Sequence, residues 1–188
     1  MKNNFFSKIF WIFILFALLP FKSNAEQFNF KVSEIEILNN GNLFKGLNRG
    51  IIETDNGLII EANNFVYDKL LNILNASGEV RVNDTINKYN IFSDKITYKK
   101  NEEIIFTTGN SKAIDNNQKI IKADNFTYNK KLDILNAEKN VFVQDGINNY
   151  ELTSEEITYN RKEEELFSSG KTDAIIDSKY NFEGENIL

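Results

Sequence analysis

Ala62-Asn63-Asn64-Phe65-Val66-Tyr67 returns 61 residues later as Ala123-Asp124-Asn125-Phe126-Thr127-Tyr128, and the likeness continues through the stretches these hexapeptides open, 62–114 and 123–175. Asn72-Ile73-Leu74-Asn75-Ala76 is matched by Asp133-Ile134-Leu135-Asn136-Ala137, and Val80-Arg81-Val82-Asn83-Asp84 by Val141-Phe142-Val143-Gln144-Asp145. Half of the period repeats as well, because Asp94-Lys95-Ile96-Thr97-Tyr98 and Glu155-Glu156-Ile157-Thr158-Tyr159 fall midway. A period of about 30 residues signals stacked, similar units, each burying its apolar face against the next. That is the organisation of a repeat protein, not of an enzyme built once around one site.

Within each half-repeat the pattern alternates with period two, the signature of a strand. Phe65/Tyr67, Ile96/Tyr98, Phe126/Tyr128 and Ile157/Tyr159 each place a large apolar residue two positions before a tyrosine, so both side chains share one face of a pleated strand. A polar turn follows each pair, at Asp68-Lys69, Lys99-Lys100-Asn101, Asn129-Lys130-Lys131 and Asn160-Arg161-Lys162. The next strand aligns Leu74, Ile105, Leu135 and Leu166 in one column and Ala76, Thr107, Ala137 and Ser168 in another. A large column beside a small one predicts a tapered interior. Gly78, Gly109 and Gly170 mark a bend or bulge, after which a third strand aligns Val82, Ala113, Val143 and Ala174. Ile35 and Ile37 read as an earlier, degenerate copy and Ile187 as the start of a later one. The fold class is therefore all-β: a repetitive antiparallel sheet that meanders and folds over, with residues 26–60 as its irregular first unit.

Residues 1–25 stand apart. Lys2 and Lys8 precede an unbroken apolar run from Phe10 to Leu19, Pro20 ends it, and Ser23-Asn24-Ala25 supplies small residues for cleavage. This is the pattern of a secretory signal peptide, leaving 26–188 as the mature domain. Without Lys2, Lys8 and Lys22 the mature part holds 19 basic against 27 acidic residues, a net −8. Such a charge argues against nucleic acid and against a polybasic grip on anionic membranes. The chain has no cysteine and no histidine, so it has no disulfide and lacks the commonest general base and metal ligand.

The candidates for chemistry are few. Glu102-Glu103, Glu155-Glu156 and Glu163-Glu164-Glu165 could furnish the carboxylate pair of a glycosidase, but they fall at turns or strand starts and read as a solvated face. Asp84, Asp115, Asp145 and Asp177 recur near strand ends, where turn formation accounts for them better than calcium does. Neither a catalytic residue, a metal site nor a cofactor is predicted. The remaining candidate is the apolar ladder itself, Phe65, Tyr67, Leu74, Ile96, Tyr98, Ile105, Phe126, Tyr128, Leu135, Ile157 and Tyr159. It is either an ordinary packed core or the lining of a trough open to acyl chains.

The recurring unit, Ala-Asp/Asn-Asn-Phe-x-Tyr, then Leu-Asn-Ala, then a short bend and Val-x-Val, resembles the OstA-like repeat of periplasmic lipopolysaccharide-transport proteins, and does so over residues 28–188. That repeat builds the bridge protein LptA and the N-terminal periplasmic domain of the outer-membrane assembly protein LptD. The resemblance implies a β-jellyroll whose apolar trough, lined by the ladder residues, shelters the lipid A acyl chains of lipopolysaccharide. It also implies joining to other Lpt proteins edge to edge by β-strand augmentation, without catalysis, in the periplasm and with or without attachment to the outer membrane. The opening 28–62 is more like the LptD type, yet no barrel follows and the copy begun at Ile187 is incomplete. Whether the chain is a free bridge or the front of a larger protein stays open at this level. The other reading is a surface or secreted β-repeat protein, such as an adhesin stalk, with a fully packed core.

Overall fold

The computed structural model describes residues 28–187; the signal-peptide segment lies outside them. Among the described residues, apart from a single 3-10 turn at Asn39–Gly41, every regular element is a strand. In chain order they are β1 (Phe28–Leu38), β2 (Leu43–Thr54), β3 (Leu58–Ala62), β4 (Asn64–Asp68), β5 (Ile73–Asp84), β6 (Tyr89–Lys99), β7 (Ile104–Thr108), β8 (Ser111–Ile114), β9 (Ile120–Ala123), β10 (Asn125–Asn129), β11 (Ile134–Asp145), β12 (Tyr150–Asn160), β13 (Glu165–Ser169), β14 (Thr172–Ile176) and β15 (Tyr180–Gly184). All belong to one antiparallel sheet.

The pairing explains how one sheet makes two layers. Every long strand after β1 pairs with two short ones: β2 with β4 through residues 43–46 and with β3 through 50–53, β5 with β4 and β3, β6 with β7 and then β8, β11 with β10 and β9, β12 with β13 and β14. Each long strand thus bends and contributes one half to each layer. One leaf holds β4, β7, β10 and β13 with the adjoining halves of the long strands; the other holds β3, β8, β9, β14 and β15 with the remaining halves.

The bend falls on a line of left-handed backbone. Asn48-Arg49, Gly78-Glu79, Gly109-Asn110 and Lys139-Asn140 all have positive φ, and so does Gly170. Register shifts occur there, between Ser77 and Val80 and between Glu138 and Val141. The predicted glycine bends are present, with one difference between copies. At Gly109 and Gly170 the strand breaks in two, whereas β5 and β11 run through as bulged 12-residue strands. The corner in β11 uses Lys139 and Asn140 and no glycine. Gly109 shows why glycine serves elsewhere: at φ +83° a Cβ would lie 2.5 Å from an Asp94 carboxylate oxygen. Backbone bonds run along this line, from Asp94 N to Gly109 O at 3.0 Å, from Gly109 N to Asp124 O at 2.9 Å and from Asp124 N to Lys139 O at 3.0 Å.

The outlying copies fall into register as predicted. Ile37 pairs with Phe44, which pairs with Tyr67, and Ile35 pairs with Gly46, which pairs with Phe65. At the other end, the Ile187 amide donates to Ser168 Oγ at 3.0 Å, just as the Phe126 amide donates to Thr107 Oγ1 at 2.8 Å one 61-residue period earlier.

Candidate functional site

All eleven ladder residues face the interior and all are buried. The sheet register joins them into two rows that cross the strands. The outer row runs Phe44, Tyr67, Leu74, Tyr98, Ile105, Tyr128, Leu135, Tyr159, Leu166, each directly opposite the next. The inner row, nearer the fold line, alternates Phe65, Ala76, Ile96 and Thr107, then Phe126, Ala137, Ile157 and Ser168. Large faces small there because the two leaves converge toward the bend and leave room for one bulky side chain per pair of strands. The hydroxyls among the small residues serve the corner: Thr107 Oγ1 lies 2.6 Å from Ser111 Oγ, and Ser93 Oγ donates to the carbonyls of Thr108 and Gly109.

The second leaf answers with its own row, Ile52, Ile60, Val82, Ile91, Ala113, Ile121, Val143, Leu152, Ala174, Phe182. Only Val82, Ala113, Val143 and Ala174 of these stood out from the repeat alignment. The interior is filled by side chains from both leaves as one core cluster. A surface depression of about 460 Å³ lies elsewhere, among Asn116, Asn117, Gln118 and Gln144 with Ile120 and Ile147.

At both ends of the stack the rows run on into uncovered apolar side chains. Ile35 and Ile37, the first members of the ladder, are 44% and 59% exposed, and at the far edge Phe182 is 49% exposed. Between Ile37 and the core, Phe28, Phe30, Phe44 and Tyr67 pack ring against ring, with centroids 4.5 to 6.2 Å apart.

The feature that departs most from expectation is the mouth opposite the fold line, where the turns of the two leaves meet. Charged turns ordinarily lie in water. Instead Lys100, Lys130 and Lys119 are buried, and so are Asp84, Asp115 and Asp145. Tyr128 donates its hydroxyl to Asp84 at 3.0 Å and Lys130 sits 3.6 Å from the same carboxylate. One copy along, Tyr159 donates to Asp115 at 3.2 Å and Arg161 donates to Asn116 Oδ1 and to the Asn87 carbonyl. One copy back, Asn56 donates to Tyr98 Oη at 2.8 Å and Lys100 lies 3.0 Å from Asp55. Period two explains the cations. Lys100, Lys130 and Arg161 each lie two residues after a ladder tyrosine, so they point inward and must find an acid or another acceptor. The turn role expected of the aspartates is also met, since Asp84 Oδ1 accepts the amides of Ile86 and Asn87, Asp115 those of Asn117 and Lys119, and Asp145 those of Ile147 and Asn148.

Burial shapes the ionisation of this seam. It pushes the Tyr128 and Tyr159 phenols well up, and the neighbouring carboxylates of Asp84 and Asp115 push the same way. Tyr89 is raised by burial and by Asp115, and Tyr150 is pushed up to about 12, mainly by burial. Burial likewise raises Asp133 against the pull of Arg161. At Asp145 burial is outweighed by hydrogen bonds from Asn148 and by Lys119, so its carboxyl is held low. A group raised in the folded state supports folding below its ordinary range, and that support is lost as pH climbs through the raised value. At pH 11 the folded chain should therefore show only part of the 295 nm phenolate absorbance of its seven tyrosines. The rest should appear together with loss of the strand signal in circular dichroism. Full phenolate absorbance with the fold intact would contradict the buried placement.

The acidic candidates stay dispersed: Glu102, Glu155, Glu156, Glu163, Glu164 and Glu165 are all exposed. Among the described residues no three acidic side chains come together in a way that could hold a metal ion.

No protein-family profile matches the chain, and no curated protein matches it in sequence. Among solved structures it is similar to LptH of Pseudomonas aeruginosa, described as the LptA-homologous periplasmic component of the conserved lipopolysaccharide transport device. The TM-score is 0.55 at 12% identity, over 61% of this chain and 83% of that one. At that identity the likeness speaks for the fold: the chain is an antiparallel β-jellyroll like that of LptA.

Proposed function

We propose that this chain is a non-enzymatic periplasmic carrier of lipopolysaccharide, exported by the signal segment 1–25, with 26–188 as the jellyroll domain. Its interior, lined by Phe65, Tyr67, Leu74, Ile96, Tyr98, Ile105, Phe126, Tyr128, Leu135, Ile157 and Tyr159, shelters the acyl chains of lipid A while sugars and phosphates stay in water. The observation that carries this reading is the continuity of the apolar rows from one edge of the sheet to the other, ending on uncovered Ile35 and Ile37 at one end and Phe182 at the other. An apolar path left unfinished at both ends fits a segment of a longer conduit, joined to other Lpt domains by strand augmentation at β1 and at the β13–β15 edge.

A photoreactive phenylalanine analogue at Tyr98 or Tyr128 should capture lipopolysaccharide in cells, and the same analogue at the outward-facing Phe92 or Phe142 should not. Equal capture from the outward positions, or none from the inward ones in a folded protein, overturns the reading.

One observation favours a second reading, a surface or secreted structural β-repeat protein: the interior is filled by its own side chains. Recovery of the mature protein outside the cell, with no lipid captured, would decide for it.

A further inference from the structure

The lipid-carrier reading leaves open how an acyl chain reaches an interior that is already filled, and the two long sides of the fold differ in what holds them shut. Along the fold line the chain itself is continuous, and the corner residues are tied by backbone bonds such as Gly109 N to Asp124 O. Parting the leaves there would break strands. Across the mouth the links are made by side chains, in three similar sets 29 to 31 residues apart: Asn56 and Asp55 with Tyr98 and Lys100, Asp84 and Asn87 with Tyr128 and Lys130, Asp115 and Asn116 with Tyr159 and Arg161. Every group in these sets can exchange its partner for water, so the mouth can part without breaking a strand pair.

The rims beside it carry a second signal. Leu71 and Leu132 tip the turns of one leaf, and Ile86 and Ile147 those of the other; all four are exposed, and each pair is 61 residues apart. Ile86 and Leu132 belong to the two turns that meet at the Asp84–Lys130 set. Large apolar side chains held in water on both lips of a polar seam give an acyl chain a foothold outside the interior.

We propose that acyl chains are admitted sideways through this mouth, and that the Asp–Tyr–Lys/Arg sets are its latch. The proposal rests on the lipid-carrier reading and adds the route and the residues that control it. Because the chain has no cysteine, the mouth can be pinned selectively. The double variant Ile86→Cys/Leu132→Cys, bridged by a short bismaleimide, is expected to take up fluorescent hexa-acylated lipid A at least about tenfold more slowly than the same variant unbridged, as for a closed lid. Lys112→Cys/Lys122→Cys, bridged between directly opposite residues of one leaf, should load like its unbridged form. Arg161→Gln, which removes two links across the mouth, should load severalfold faster than the unmodified chain. Equal loading by the bridged and unbridged mouth variants overturns the latch and points to the ends of the stack as the route. Slower or unchanged loading by Arg161→Gln also counts against it. Failure of the unmodified chain to load at all overturns the carrier reading and the latch with it.

Discussion

Phe126→Asp is expected to leave the chain unfolded at 25 °C. Phe126 is 2% exposed, lies opposite Ala137 and donates its amide to Thr107. Removing its ring from a filled core costs about 3–5 kcal/mol. The carboxylate that replaces it would lie in the apolar row near the fold line, with no cation assigned to it, and adds roughly several kcal/mol more. Together these approach the whole stability of a domain of this size, about 5–15 kcal/mol. Circular dichroism and urea titration will read the outcome. Val66→Asp, at the outward position between Phe65 and Tyr67, is the matched control and should change stability by no more than about 1 kcal/mol. A cooperative transition of Phe126→Asp at the wild-type midpoint would mean the inward face has been misassigned.

Asp84→Ala should be the most damaging change in the seam. One carboxylate there accepts from the amides of Ile86 and Asn87, the Asn87 side chain and the Tyr128 hydroxyl, and faces the Lys130 ammonium. Deleting it strands a buried cation, for which the expected cost is about 3–5 kcal/mol. The stranding can be tested separately from the lost turn. Adding Lys130→Met should recover part of the loss, because an apolar chain of similar reach needs no counter-charge. If Asp84→Ala costs less than about 1 kcal/mol in urea titrations, the seam is wetter than its geometry implies.

Much of the architecture can be read from residue order alone, because the repeat supplies four aligned copies of the same physical problem. Phe65, Ile96, Phe126 and Ile157 fall two positions before a tyrosine, and period two is enough to place them inside. Gly78, Gly109 and Gly170 announce the bend because few other residues adopt their backbone angles without cost. The corner at Lys139-Asn140 is silent in composition, since tertiary pairing there holds ordinary residues at positive φ. The second leaf's row carries the same period, with Ile60 and Ile121, and Ile91 and Leu152, standing 61 residues apart, but it lies away from the Phe/Ile-x-Tyr marker that picks out the first leaf. The seam is the instructive miss. Lys100, Lys130 and Arg161 do sit in turns, as their charge suggests, but the alternation that places Tyr98, Tyr128 and Tyr159 inside extends two residues further and turns these side chains inward too. Their partners lie 45 to 46 residues away in the other leaf, a separation that no local pattern can report.

The uncovered ladder ends have a thermodynamic consequence. A stack whose units touch only their neighbours behaves as a one-dimensional lattice: interior units are held from two sides, terminal ones from one. Opening should therefore begin at β1 and β15 and travel inward, which amide exchange would register as protection rising from both edges toward β6–β11. The cost of two unfinished ends is the same however many units lie between them. Every unit added end to end shares that cost more widely, so length itself is a source of stability for such a fold.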